Sequence, residues 1–215
     1  MLQHRPYVII NVAQSINGFI SGPGGKPVVI SSAEDTKRVH LIRKSVDAVL
    51  IGANTVINDN PELKFNELLV GSGKQPLRVV LDSNLRTPES SRVLDGSAQT
   101  VIFNAVKAGH YGKADLLYFD RSDLSISRII HTLDELGVKR ILVEGGATVI
   151  NEFIRSGSVD EFYIYIGNCI LPGNGIRLFD PDIEMRDIVS SFSLIENGIL
   201  VTINVKKLCS MVKWK

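Results

Sequence analysis

Residues 140–154 constrain the fold more than any other stretch of this chain. A short apolar run, Arg140 to Val143, passes through Glu144 into Gly145-Gly146, and a helical pattern starts at once, with Ala147, Ile150, Phe153 and Ile154 recurring at helical spacing. A strand that enters a helix through two glycines also makes a place for an anion. The glycines let another backbone come close, and the first N–H groups of the helix and its dipole favour phosphate. Glu144 falls at the end of the strand, at the mouth of a cleft. Taken alone, the segment fits a tight turn with an exposed carboxylate equally well.

The same alternation runs through the first two thirds of the chain. Tyr7 to Gln14 is rich in β-branched residues and reads as a buried strand. Ser31 to Glu34 has the Ser-x-x-Glu form of a capping box for a helix running to about Lys44, with Val39, Ile42 and Val46 as its stripe. Short strands follow at Ala48–Gly52, Leu77–Asp82, Thr100–Asn104 and Leu116–Phe119. A helix marked by Ile126, Ile129, Ile130, Leu133 and Leu136 then stops at Gly137. After Glu161 the pattern changes. Phe162–Ile166 is a strand, either in the core or at an interface, and Phe192–Ile195 and Leu200–Val205 form a hairpin through Glu196-Asn197-Gly198. The expectation is one α/β domain over 1–215, a mostly parallel central sheet with helices on both faces and a C-terminal antiparallel hairpin.

Composition narrows the function. Charged residues make up 22% and the net charge is +1, which gives no electrostatic case for nucleic acid or an anionic membrane. The densest basic run, Lys206, Lys207, Lys213 and Lys215, reads as a solvated tail. No apolar run approaches the length of a membrane span, and no secretion signal is visible. Cys169 and Cys209 are too far apart for a zinc site or a disulfide framework, so the expected compartment is the reducing cytoplasm. His4, His40, His110 and His131 are scattered, no metal-ligand cluster is present, and no Gly-x-Ser-x-Gly occurs.

Ligands of open α/β sheets bind at strand ends. Five ends here are polar or glycine-containing: Gln14 to Gly18, Gly52 to Pro61, Asp82 to Leu85, Phe103-Asn104, and Glu144 to Gly146. Thr55 could give a phosphate or ribose a hydroxyl. Asp59 sits in what reads as a turn. Asp82 could hold a ribose hydroxyl or cap a turn, and Arg86 could meet a phosphate or lie on the surface. Gly22-Pro23-Gly24-Gly25 lacks the spacing of a nucleotide loop and reads as a plain loop.

Together these segments resemble a known family. Asn11-Val-Ala-Gln-Ser-Ile-Asn-Gly18, the run from Val39 to Pro61, Pro76-Leu-Arg-Val-Val-Leu-Asp-Ser83, Val143-Glu-Gly-Gly-Ala-Thr148 and Val159-Asp-Glu161 are similar, in the same order, to motifs of the riboflavin-pathway reductases, stand-alone archaeal and fungal type. The resemblance implies a dihydrofolate-reductase-like fold, a homodimer, and NADPH-dependent reduction of the ribosyl group of an aminopyrimidine phosphate to ribityl. It implies cofactor contacts at Thr55, Asp59, Asp82, Ser83, Asn84, Leu85, Gly145, Gly146, Ala147 and Thr148. Glu144 is then the expected catalytic group, and Asn17, Ser31 and Ser32 are expected substrate contacts, with Ser31 and Ser32 placed for the substrate phosphate at a helix N-terminus. No metal is expected. The zinc-deaminase signature carried by bacterial bifunctional relatives is absent, which favours the stand-alone type. The chain departs from the family pattern at Asn17, where Asp is usual, at Asn60 in Asp59-Asn60-Pro61, and at Lys64, Phe65 and Asn66, near a position that is basic in bacterial members. Two other readings stay open: a reductase of the same fold acting on a pterin, and a dimeric nucleotide-binding protein without catalysis.

Overall fold

The computed structural model describes residues 5–206 except 182 and 185. His4, Cys209 and the basic residues Lys207, Lys213 and Lys215 lie outside the described residues. Ten strands form one sheet: β1 (Tyr7–Ser15), β2 (Ala48–Gly52), β3 (Leu77–Leu81), β4 (Thr100–Asn104), β5 (Gly109–Tyr111), β6 (Ala114–Tyr118), β7 (Arg140–Gly145), β8 (Glu161–Gly167), β9 (Val189–Ile195) and β10 (Gly198–Ile203). Their order is β5-β6-β4-β3-β2-β7-β1-β8-β10-β9. The pairs from β6 to β8 are parallel, and the C-terminal hairpin adds the expected antiparallel edge. A second antiparallel edge, β5 on β6, is a strand of three residues that no alternation in the sequence marks.

Five helices connect the strands: α1 (Ala33–Lys44), α2 (Ala53–Asp59), α3 (Glu67–Val70), α4 (Ile126–Glu135) and α5 (Ala147–Arg155). The central strands are apolar on both faces, as parallel strands covered on both sides must be. Leu50, Val79, Val101 and Val143 point to one layer, closed by Ile129 and Leu133 of α4 and Phe153 and Ile154 of α5. Val49, Ile51, Val80, Ile102 and Leu142 alternate to the other layer, against Val56 of α2, Ile42 of α1, and Val93 and Leu94. β8 lies between β1 and β10 with Phe162 and Tyr165 fully buried, so it is a core strand and not an interface.

The cap of α1 is one residue later than the capping box predicts. Ser32, not Ser31, is the N-cap, and its hydroxyl accepts from the Asp35 N–H at 3.2 Å. The stretch after Gly52 forms the helix α2, and Asp59, expected in a turn, is its last residue. Ala53, Val56 and Ile57 stand at helical spacing, but over seven residues the pattern is too short to mark a helix. Among the described residues no helix is long and apolar enough to cross a membrane.

Candidate active site

β2 and β7 are neighbours, yet the chain leaves them in opposite directions, from β2 toward β3 and from β7 through α5 toward β8. Such a switch point opens a crevice at the carboxyl ends of the strands. A cavity of about 630 Å³ occupies it. One wall is α2 along its length, with Ala53, Asn54, Thr55, Asn58 and Asp59. Facing it are Glu144 and the start of α5, Gly146 to Val149. A third wall comes from α1, where Thr36, Val39 and Arg43 (i, i+3, i+7) line one helical face. Val28 to Ser31, in the loop before α1, close the remaining side together with Asn11 to Ala13 of β1.

Two glycines make the crevice possible. Gly145 has φ of 120°, a conformation closed to L side chains, and it turns the chain from β7 into α5. A Cβ on Gly52 would stand 2.9 Å from Val149 Cγ2, so only glycine lets β2 pass this close to α5. The Gly145–Gly146 peptide bond is cis. Gly146, the N-cap of α5, has no side chain to cap the helix, so the amides of the first turn keep no side-chain acceptor. The hydroxyls of Thr55 and Thr148 stand beside them on the cavity wall.

The charged centre of the cavity is an ion pair. Arg43 Nε donates to Glu144 Oε1 and Nη2 to Oε2, both at 2.7 Å, while Nη1 donates to the Lys64 carbonyl at 2.9 Å. Only 17% of the Arg43 side chain and 11% of that of Glu144 are exposed. Burial by itself would weaken the guanidinium's hold on its proton, but the charge and hydrogen bonds of Glu144 more than offset this and raise its pKa. The pair therefore presents a fixed cation and a fixed carboxylate to the cavity together. His40, one turn before Arg43, has its pKa lowered by burial and by Arg43. It accepts the Asn66 N–H on Nδ1 at 3.1 Å, a structural contact. Burial raises the Asp59 carboxyl above its usual range.

Of the residues singled out in the sequence, Glu144, Ser31, Thr55, Asp59, Gly146, Ala147 and Thr148 line this cavity. Ser83 lines an adjoining recess of about 410 Å³ that shares Leu81, Thr148 and Val149 with it. Gly145 is buried directly behind, at the end of β7.

Other expected site residues are spent on structure. Asp82 is buried, and its Oδ2 accepts both the N–H and the hydroxyl of Thr87, so it holds the turn after β3 and does not face a ribose. Leu85, at φ of 53°, is the bend of that turn and packs on the second core layer. Asn84 holds Arg121. Asn17 lies outside the cavity. Its Nδ2 donates to the Leu171 carbonyl at 2.8 Å and its Oδ1 accepts the Leu171 N–H at 3.1 Å, clamping the loop after β8. An Asp in its place could only accept, which gives the departure at this position a structural reason. Ser32 caps α1. The anion position there is already filled by Glu196 of the hairpin turn, which accepts the Glu34 N–H at 3.1 Å and hydrogen bonds from Ser32 and Ala33. Those bonds lower its pKa and leave no place for a substrate phosphate. Of the five strand ends, those after β2 and β7 build the cavity, and the one after β3 gives Ser83 to the adjoining recess. The end of β1 is taken up by Asn17, and Asn104 of β4 is buried and accepts the Val106 and Lys107 N–H groups. Gly22 to Gly25 is a loop with a single 3-10 turn, of which Gly25 reaches the cavity wall. Arg43 is a site residue that the sequence analysis does not single out. Its signal is the i, i+3, i+7 spacing from Thr36, which an apolar stripe alone does not show.

The sequence profile of the RibD C-terminal domain matches residues 6–199. The chain belongs to this family. Among curated relatives of this RibD-type domain, the 2,5-diamino-6-ribosylamino-4(3H)-pyrimidinone 5′-phosphate reductase of Methanothermobacter thermautotrophicus is 34% identical over 80% of the chain and 82% of its own length. The protein of the same name from Archaeoglobus fulgidus is 36% identical over 79% and 83%. Among solved structures, the Thermotoga maritima diaminohydroxyphosphoribosylaminopyrimidine deaminase/5-amino-6-(5-phosphoribosylamino)uracil reductase superposes with a TM-score of 0.79 at 27% identity, covering 93% of this chain and 56% of that one. The RibD-type domain has a dihydrofolate-reductase-like fold. The Enterococcus faecalis dihydrofolate reductase superposes on 91% of the chain, and the chain on 94% of it, with a TM-score of 0.50 at 13% identity, a likeness of fold alone.

Proposed function

We propose that this protein reduces the ribosyl group of 2,5-diamino-6-ribosylamino-4(3H)-pyrimidinone 5′-phosphate to ribityl with NADPH, as a cytoplasmic homodimer. One observation carries the reading. A helix start stripped of side-chain caps, at Gly146 to Thr148, opens on the same cavity as the Arg43–Glu144 pair. The first suits a dinucleotide pyrophosphate, and the second suits a polar, phosphorylated substrate. The relatives named above as reductases of this compound support the same assignment.

The residues present fit a nicotinamide cofactor. The amides at the start of α5, which have no side-chain cap, and the Thr55 and Thr148 hydroxyls form a donor set for phosphate. When bound, NADPH supplies the hydride for C1′ of the ring-opened imine. The protein's own work is to bind and orient. Glu144 stabilises the positive charge of the iminium form and holds a hydroxyl of the opened ribose. Arg43 keeps that carboxylate aimed through two hydrogen bonds, and the Ser31 hydroxyl on the same cavity offers a donor to the substrate's anionic end. An imine is already electrophilic, so no Ser-His arrangement is needed.

The pterin alternative took its support from Asn17, and that side chain is committed to the Leu171 backbone. Absorbance at 340 nm with purified protein, NADPH and the ribosylaminopyrimidine phosphate tests the reading. Loss of signal only when both compounds are present is expected. No loss with this substrate, or loss with a pterin in its place, would overturn it.

Support for the dimer comes from the sheet edge. Phe192 and Leu194 of β9 are 73% and 79% exposed, beside Val189 at 56%, an apolar edge that a second copy would cover. Phe192→Lys is expected to halve the mass measured by light scattering. A wild-type protein that is already monomeric at micromolar concentration would remove the dimer from the proposal.

A further inference from the structure

We infer that Arg86 distinguishes NADPH from NADH by taking the phosphate on the 2′ position of the adenosine ribose. This rests on the cleft being a nicotinamide dinucleotide site, as proposed above. If the hydride-donating end lies by Glu144 and the pyrophosphate at the start of α5, the adenosine must extend toward β3. There the cavity passes into the adjoining recess, whose Leu81, Leu124, Ile126 and Val149 offer an apolar slot for an adenine ring. Arg86 and Asn54 stand on the cavity wall at this same end, with Ser83 on the recess side of Leu81.

Charge singles out Arg86. Two arginines line the main cavity. Arg43 is neutralised by Glu144. Arg86 contacts only an amide oxygen, donating from Nη2 to Asn54 Oδ1 at 2.9 Å, and among the described residues no carboxylate pairs with it. On the same turn, Asn84 Oδ1 accepts from Arg121 Nη2 at 2.6 Å, and Arg121 likewise has no carboxylate partner among the described residues. A neutral amide holds each guanidinium in place without cancelling its charge. A phosphate dianion can cancel that charge through two parallel hydrogen bonds, whereas the hydroxyl of NADH cannot.

The turn is built to hold this arginine still. Thr87 donates its N–H and hydroxyl to buried Asp82 at 2.7 and 2.8 Å, and the Leu85 N–H donates to the Asp82 carbonyl at 3.0 Å. The Ala105 N–H donates to the Ser83 carbonyl at 3.1 Å and ties the turn to the end of β4. Arg86 lies between Leu85, fixed by its packing, and Thr87, fixed by Asp82. The buried carboxylate is therefore a positioning residue for the cation.

Isothermal titration of the full chain with NADPH, NADH and adenosine 2′,5′-bisphosphate tests this. Wild type is expected to bind NADPH at least tenfold more tightly than NADH. Arg86→Ser is expected to lower that ratio at least tenfold and to weaken the bisphosphate in parallel, with Arg86→Lys between the two. Thermal melts show whether each variant is folded. A folded Arg86→Ser protein that keeps its preference within twofold, or a wild type without preference, would overturn the inference and leave the cofactor site standing. A wild type that binds none of the three would overturn the cofactor site, and the inference with it.

Discussion

Two arginines pair with carboxylates at opposite ends of the sheet, and they differ in what they leave available. Arg78, at the start of β3, is fully buried. Its donors go to Thr100 Oγ1, the Arg92 carbonyl, Asp95 Oδ1 and the Ala98 carbonyl. Every acceptor is part of the fold, and the strand starts where the pair sits. Arg43 makes an equally regular pair with Glu144, but at the carboxyl ends of the strands and on a cavity wall. A buried ion pair is a weak source of net stability, because desolvation offsets most of its attraction. Where such a pair is closed off it serves to fix geometry. Where it opens on a cavity it holds charge ready for a ligand.

The largest expected effect separates the two pairs. Glu144→Gln keeps an acceptor for Arg43 but loses the charge. It should lower kcat/KM about 100-fold, equivalent to about 2.7 kcal/mol of transition-state stabilisation, and also lower the melting temperature, because Arg43 keeps a largely buried charge without its counter-ion. A loss within about twofold (under ~0.5 kcal/mol) would strip Glu144 of its role.

Asp95→Asn should act on stability alone, lowering the unfolding free energy by about 2 kcal/mol, a figure already reduced for water's access to the exposed carboxylate, with kcat/KM unchanged. The pH dependence sharpens this. Burial would raise the Asp95 carboxyl, but hydrogen bonds from Ser97 and Arg78 more than offset it and hold it well below the usual carboxylate range. A depressed folded-state pKa gives stability that is full above the unfolded value of about 3.9 and is lost as pH falls through the carboxylate range. Urea melts of the wild type at falling pH should show that loss, and the Asn variant should lack its share of it.

The smallest effect concerns a polar clamp that involves no charge. Asn17→Asp should cost about 1 kcal/mol, because a carboxylate would face the Leu171 carbonyl without a donor. At this chain length that is a fall of about 3 °C in melting temperature. A large change in KM instead would return Asn17 to the substrate site.

The strand–helix alternation, the register of hydrophobic faces and the C-terminal hairpin were legible because burial leaves a periodic trace. The strand Thr100–Asn104 has the bounds its sequence predicts, and α5 starts at Ala147, where the helical spacing begins. What left no trace was polar traffic between distant segments. Arg43 meets Glu144 across 101 positions of sequence, and Glu196 crosses 162 to cap α1 at Glu34. Nothing local marks either contact, so the apolar pattern of α1 hides Arg43, and the anion that meets Ser32 is Glu196 and not a substrate phosphate. Asp82 shows the converse. Its place after a strand suits a ribose, and only the positions of Thr87 and the core decide that it points inward.

The central claim is that a hydride reaches C1′ of the opened ribose in this cleft. NADPH carrying deuterium at both C4 positions of the nicotinamide, incubated with the protein and the ribosylaminopyrimidine phosphate, tests it most directly. The account predicts a ribityl product with a single deuterium at C1′, seen by mass spectrometry and proton NMR. An unlabelled product, or label retained in the nicotinamide with the substrate unchanged, would contradict it.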